Sequence, residues 1–154
     1  MVTARAAVAS IVDPEIRDLT IEELGILRDV SQDGSGAVTV TVTPTYSGCP
    51  ALEVIRAQIL EALHRNGFPD ATVHTTLRPA WSTDMISESG RAKLVAAGIA
   101  PPARTGPVPV TLAPRCPHCG SPETEQLSRF GATACKALWR CRSCREPFEG
   151  LKTL

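Results

Sequence analysis

Aromatic residues are scarce: two Trp, one Tyr and three Phe make up 4% of 154 residues. Little of any core can be built from rings, so aliphatic side chains must supply it. Net charge is lacking too, with 16 Lys and Arg against 16 Asp and Glu, which argues against a general nucleic-acid coat. No run approaches the roughly 18–20 consecutive apolar residues of a membrane helix, so a membrane is not an expected partner. Residues 1–13 make a poor export signal, because their apolar run is short, holds Arg5 and stops at Asp13-Pro14. A cytoplasmic protein is expected. There is no internal repeat, phosphate-cradling glycine loop or dinucleotide fingerprint; Gly34-Ser35-Gly36 is too short and runs into a strand. What is present, 43% hydrophobic and 21% charged residues, is ordinary for a globular chain and unlike a disordered or collagen-like one.

The balanced charge conceals an asymmetry. Residues 1–98 carry 8 basic and 12 acidic side chains, and residues 99–154 carry 8 and 4. Cysteine divides in the same way: Cys49 stands alone in the first part, whereas Cys116, Cys119, Cys135, Cys141 and Cys144 fall in the last 39 residues. Two unlike modules are expected, 1–98 and 115–154. The sixteen residues 99–114 between them hold Pro101, Pro102, Pro107, Pro109 and Pro114, a composition suited to a semi-rigid linker.

In the first module, residues 4–12 suit a short helix that Asp13-Pro14 ends. Thr20 to Gly25 reads as a helical turn or a glycine-closed loop, and Ile26 to Val30 as a strand. Asp33-Gly34 supplies a hairpin turn. Val38, Val40 and Val42 then alternate with Thr39, Thr41 and Thr43, which predicts a strand with one buried face. Pro44, Gly48 and Pro50 prevent its continuation. Leu52, Ile55, Ile59, Leu60 and Leu63 recur at helical spacing over residues 51–66, and Asn66-Gly67 stops that helix. Residues 71–77 read as a third strand, and Ser87 caps a last helix that ends at Gly98. The fold class is α+β: a small three-stranded sheet with helices packed on one side, followed by a zinc-ribbon module.

The ribbon rests on Cys116-Pro117-His118-Cys119 and Cys141-Arg142-Ser143-Cys144, with 21 residues between them. Each CxxC turn can direct two sulfurs at one tetrahedral ion, and a 40-residue module needs such an ion to hold its fold. Structural Zn²⁺ on Cys116, Cys119, Cys141 and Cys144 is expected. The alternatives are rubredoxin-type iron at the same four sulfurs, which fits a spacer rich in polar residues less well, or an iron–sulfur cluster; a thiol redox motif would want a βαβ setting. His118 lies between two ligands, but four cysteines already complete the shell. Cys135 is either a small buried hydrophobe or an extra, exchangeable thiol. Arg140, Arg142 and Arg145 near Lys136 make a modest basic patch; four thiolates around Zn²⁺ halve the module's excess charge, and nucleic acid is not an expected partner.

Cys49 precedes Pro50 at the start of the 51–66 helix, where backbone N–H groups favour a thiolate. A lowered pKa and a role as nucleophile or soft-metal ligand are expected there, against a plain capping role. Asp13 and Glu15 either face Cys49 as hard ligands or proton acceptors, or merely shape a loop. His64 lies about four helical turns from Cys49, and His74 is on a strand, so no Cys–His catalytic pair is evident.

Asp13-Pro14-Glu15-Ile16, Leu19-Thr20-Ile21, Leu24-Gly25-Ile26 and Thr43-Pro44-Thr45 leading to Cys49-Pro50 resemble the α+β domain of the SufT-like iron–sulfur cluster assembly factors. Trp81 to Ile86, Gly90-Arg91, Lys93-Leu94, Gly98 to Pro102 and Phe130 to Leu138 resemble the PaaD family of phenylacetate degradation, grouped with the phenylacetyl-CoA epoxidase complex. Met85 departs from that pattern, where a larger aromatic is usual. The resemblance implies a non-enzymatic accessory role in maturing the epoxidase's reductase or oxygenase subunit. It makes Cys49, Asp13 and Glu15 the candidates for handling iron or an iron–sulfur cluster transiently, and leaves Cys135 open. The alternative it implies is a structural subunit of the epoxidase complex; association between copies of the chain is left open.

Overall fold

The computed structural model describes residues 2–104 and 113–152. Its contacts divide the chain into two units, Met1–Trp81 and Ser82–Leu154.

The first unit holds α1 (Ala4–Ala9), β1 (Leu27–Gln32), β2 (Val38–Val42), α2 (Ala51–Arg65) and β3 (Ala71–Thr75). β1 and β2 form an antiparallel hairpin, and β3 joins β2 in parallel after the α2 crossover, giving the order β1-β2-β3. The alternation in β2 works as its sequence predicts. Val38, Val40 and Val42 are buried while Thr39 and Thr41 stay partly exposed. Each such valine contributes on the order of 2 kcal/mol.

α2 presents Ala51, Ile55, Ile59, Ala62 and Leu63 to the core, whereas Leu52 and Leu60 are only half-buried. The buried stripe is therefore narrower at its edges than the leucine spacing predicts, and two of its five residues are alanines. Asn66 ends it: its backbone N–H and Nδ2 both donate to Ala62 O, and Gly67 takes φ +88°.

α1 stops at Ala9 rather than at residue 12 because Ile11 and Val12 are drawn into pairing. Ile21 N donates to Ile11 O at 2.8 Å, and Val12 bridges Thr20. Thr20 and Glu23 bond each other's backbone N–H reciprocally at 3.1 Å, which holds the turn that buries Leu19, Ile21 and Leu24. Buried Trp81 closes the unit, its indole N–H donating to Leu24 O at 2.8 Å.

The second unit holds a short 3₁₀ turn (Thr83–Met85), α3 (Glu88–Ala96), β4 (Ile99–Ala100), β5 (Thr124–Ser128), β6 (Lys136–Cys141) and β7 (Pro147–Leu151). Its sheet runs β4-β7-β6-β5. Ser87 caps α3 by accepting from Gly90 N at 3.0 Å, as its position predicts. Residues 82–98, read from sequence as the end of the first module, pack here with the second. The cause is β4: Ile99 and Ala100, the expected start of the linker, are a buried strand paired in parallel with Glu149 and Gly150. Gly98, at φ +74°, turns the chain from α3 into β4 and lets His118 approach; a Cβ there would lie 3.2 Å from the imidazole. Half of the expected linker, residues 105–112, lies outside the described residues.

Candidate functional site

The second unit gathers four sulfurs. Two tight turns carry them: Gly120 N donates to Cys116 O at 2.8 Å, and Cys141 N donates to Glu146 O at 3.0 Å. Gly120 and Arg145 supply the positive φ, +74° and +66°, that follows each CxxC. Hydrogen bonding across β5 and β6, with Thr124 opposite Cys141, sets the second turn beside the strand that follows the first.

The ligand atoms of Cys116, Cys119, Cys141 and Cys144 all lie within 4.8 Å of one another. Cys116 and Cys144 sulfurs are 3.7 Å apart, and those of Cys119 and Cys141 are 3.6 Å apart. A tetrahedral ion with bonds near 2.3 Å to sulfur requires separations of about 3.8 Å, so the quartet fits such an ion. Cys116 and Cys141 pack in a small core with Ala100, Phe148 and the flank of Trp139. The Cys144 N–H, 3.4 Å away, is the foremost of the groups that draw the Cys141 thiol down to about 6. It favours the thiolate that a metal needs.

Cys135 is buried apart from the quartet, with its sulfur 3.0 Å from Thr133 Oγ1. His118 is exposed against Gly98. The basic patch is smaller than its sequence implies. Glu125 accepts from both Arg140 and Arg142, the Arg140 guanidinium holds its carboxyl below the usual range, and Lys136 is buried.

In the first unit, the loop from Thr43 to Pro50 delivers Cys49 to the head of α2. Cys49 N donates to Tyr46 O, and Leu52 N to Cys49 O. The sulfur is half-buried, so it is neither sealed nor fully open. Asp13 and Glu15, 36 and 34 positions earlier, lie near enough for their charges to act on it. The expected fall in its pKa is reversed. Burial pushes the Cys49 thiol up, and the Glu15 and Asp13 charges add to that; the Ala51 N–H and the Tyr46 side chain pull the other way and are outweighed. Tyr46 was not singled out by sequence, although its place in the strand-to-helix loop puts it within reach of the thiol. Exposed His64 and His74 are not among the groups that act on Cys49.

Asp13 also organises its own loop. It is 5% exposed, and Oδ1 accepts from Glu15 N at 2.8 Å and Ile16 N at 2.7 Å. The two readings of Asp13 are thus not exclusive. Because Glu15 acts on the thiol through charge, Glu15→Gln is expected to speed alkylation of Cys49 about two- to threefold at pH 8. Iodoacetamide kinetics followed by mass spectrometry check this; an unchanged rate would show that burial alone sets the thiol.

Residues 2–74 match the family described as iron-sulfur cluster assembly protein, and residues 100–152 match the PaaD zinc beta ribbon domain. Over 151 residues the chain is 48% identical to a protein of Escherichia coli (strain K12), covering 97% of this chain and 90% of that one. The chain belongs to the PaaD family. That relative is provisionally named as one of the subunits of 1,2-phenylacetyl-CoA epoxidase. This PaaD-family chain has other kin that match part of it. Over 89 residues it is 33% identical to a Bacillus subtilis Fe-S protein maturation auxiliary factor, covering 57% of this chain and 86% of that protein. A crystal structure of a DUF59 domain from Bacillus anthracis shares the fold at a TM-score of 0.56 and 27% identity, over 59% of this chain and 87% of that one. Among the described residues no helix is long and apolar enough to cross a membrane.

Proposed function

We propose that the chain is a non-catalytic accessory factor of the phenylacetyl-CoA epoxidase system. It helps iron or an iron–sulfur centre into the reductase or oxygenase subunit. The observation that carries this is the half-buried Cys49 thiol with the charges of Asp13 and Glu15, from a distant part of the chain, acting on it. Among the described residues only the four ribbon sulfurs converge as closely as a bound ion needs, so iron would draw the two carboxylates in. Two relatives named as Fe-S protein maturation auxiliary factors match more than half of the chain, and residues 2–74, which hold all three side chains, match the iron-sulfur cluster assembly family. Zn²⁺ in the Cys116–Cys119–Cys141–Cys144 site has a structural task and stays in place, because four sulfurs leave no open coordination position.

The raised Cys49 pKa suits a carrier. At neutral pH the thiol is protonated, and iron must displace that proton to solvent on binding. When the cargo leaves for a client, the thiol regains a proton from solvent. Binding is thereby weakened and release eased, as delivery demands. No residue is assigned a catalytic role.

The test uses the full chain, loaded anaerobically with iron and sulfide and offered to the apo-reductase. Cys49→Ser is expected to cut delivery at least about tenfold while leaving zinc content intact. Equal delivery by wild type and variant would refute the carrier role. It would favour a structural subunit of the complex, a reading encouraged by the near full-length match to a protein named as an epoxidase subunit.

A further inference from the structure

One cleft of the ribbon unit is lined by none of the four sulfurs. It measures about 400 Å³, and its lining includes Pro102, Pro114, Gln126, Arg129, Trp139 and Lys152. That volume is within the range of binding clefts. Among the described residues no Asp or Glu lines it.

Its floor is built rather than accidental. Trp139 sits over Gly150, whose missing Cβ would lie 3.1 Å from indole Cδ1 and Nε1. Any larger residue at 150 would lift the ring. The indole is half-buried, and among the described residues its N–H meets no acceptor. Arg129 is exposed and, among the described residues, has neither a hydrogen bond nor an ion pair, unlike Arg140 and Arg142, which Glu125 occupies. Lys152 is held in position: Nζ donates to Ala134 O at 2.8 Å and lies 5.2 Å from the centre of the Phe130 ring. Phe130 itself is 74% exposed beside this cation, and Leu127 on β5 is 48% exposed.

Donors without acceptors, two cations without an acid, and exposed apolar side chains point to one kind of occupant. We propose that this cleft docks an acidic segment of a partner protein, one that sets a carboxylate against Arg129 and the Trp139 N–H and an apolar side chain beside Phe130. Trp and Arg are the side chains that most often anchor protein interfaces, and a charge-complementary rim speeds and orients the encounter. This deepens the accessory reading and rests on it in one respect: the partner is an epoxidase subunit.

The experiment immobilises the purified oxygenase and reductase subunits and measures binding of the full-length, metal-loaded protein. Arg129→Glu, on the surface and away from the sulfurs, is expected to weaken binding at least about tenfold and to flatten its salt dependence. Trp139→Phe is expected to weaken it about threefold or more. Arg65→Glu, the same charge change on exposed α2, serves as control and is expected to bind like wild type. Wild-type affinity in both cleft variants overturns the proposal. So does an Arg129→Glu effect confined to self-association in sedimentation, which would assign the cleft to a second copy or to the chain itself. Failure of wild type to bind either immobilised protein also overturns it, while the carrier reading is judged separately by iron delivery from Cys49.

Discussion

Serine at Cys141 is expected to strip the metal from the protein and to unfold the sheet of the second unit. Cys141 is the most consequential of the four ligands because it is wholly buried and belongs both to β6 and to the small core of Ala100, Cys116 and Phe148. That core is too small to order the unit unaided, since few large apolar side chains are buried in it. A structural zinc contributes on the order of 10 kcal/mol in comparable modules, more than the whole stability of many domains. Loss of one ligand therefore removes most of the driving force. Elemental analysis should find less than one metal per chain, and the dispersed amide signals of β5, β6 and β7 should collapse, while those of β1, β2 and β3 persist. Retained metal and an intact sheet in Cys141→Ser would mean that three sulfurs suffice, and the closed-quartet reading would fail. Visible thiolate-to-iron absorption in the purified protein would instead overturn zinc as the occupant.

The second large effect concerns Asp13. Asp13→Ala is expected to cost about 2–4 kcal/mol, because it abandons two backbone donors, at Glu15 and Ile16, in a site that is almost fully buried. Asp13→Asn keeps an acceptor in the same place and should cost less than about 1 kcal/mol. The pair separates architecture from charge. If Asn preserves the urea midpoint yet lowers iron delivery, the charge itself serves the thiol. If Asn delivers like wild type, Asp13 only shapes the loop, and the donor set shrinks to Cys49 and Glu15.

What the chain displays in one dimension depends on how local the cause is. β2 and α2 are legible because alternation and helical spacing are properties of five and fifteen consecutive residues. The metal quartet is legible for the same reason: each half is a four-residue turn. β4 is not. Two residues ahead of a proline-rich stretch carry no strand pattern, and their pairing with Glu149 and Gly150 depends on residues some fifty positions away. The thiol at Cys49 fails in a similar way. The head of a helix argues for a depressed pKa, and only the folded chain brings Glu15, Asp13 and the surrounding burial against it. The basic patch likewise shrinks once Glu125, on the neighbouring strand, is seen to occupy two of its arginines.

The parallel pairing of β4 with β7 has a practical consequence. A fragment cut at residue 115 would contain every sulfur of the quartet but would strip β7 of its outer neighbour. The exposed row of peptide groups on β7 would be ready to zip onto any passing strand, its twin in another fragment included. Metal affinity and solubility would then part company in such a piece.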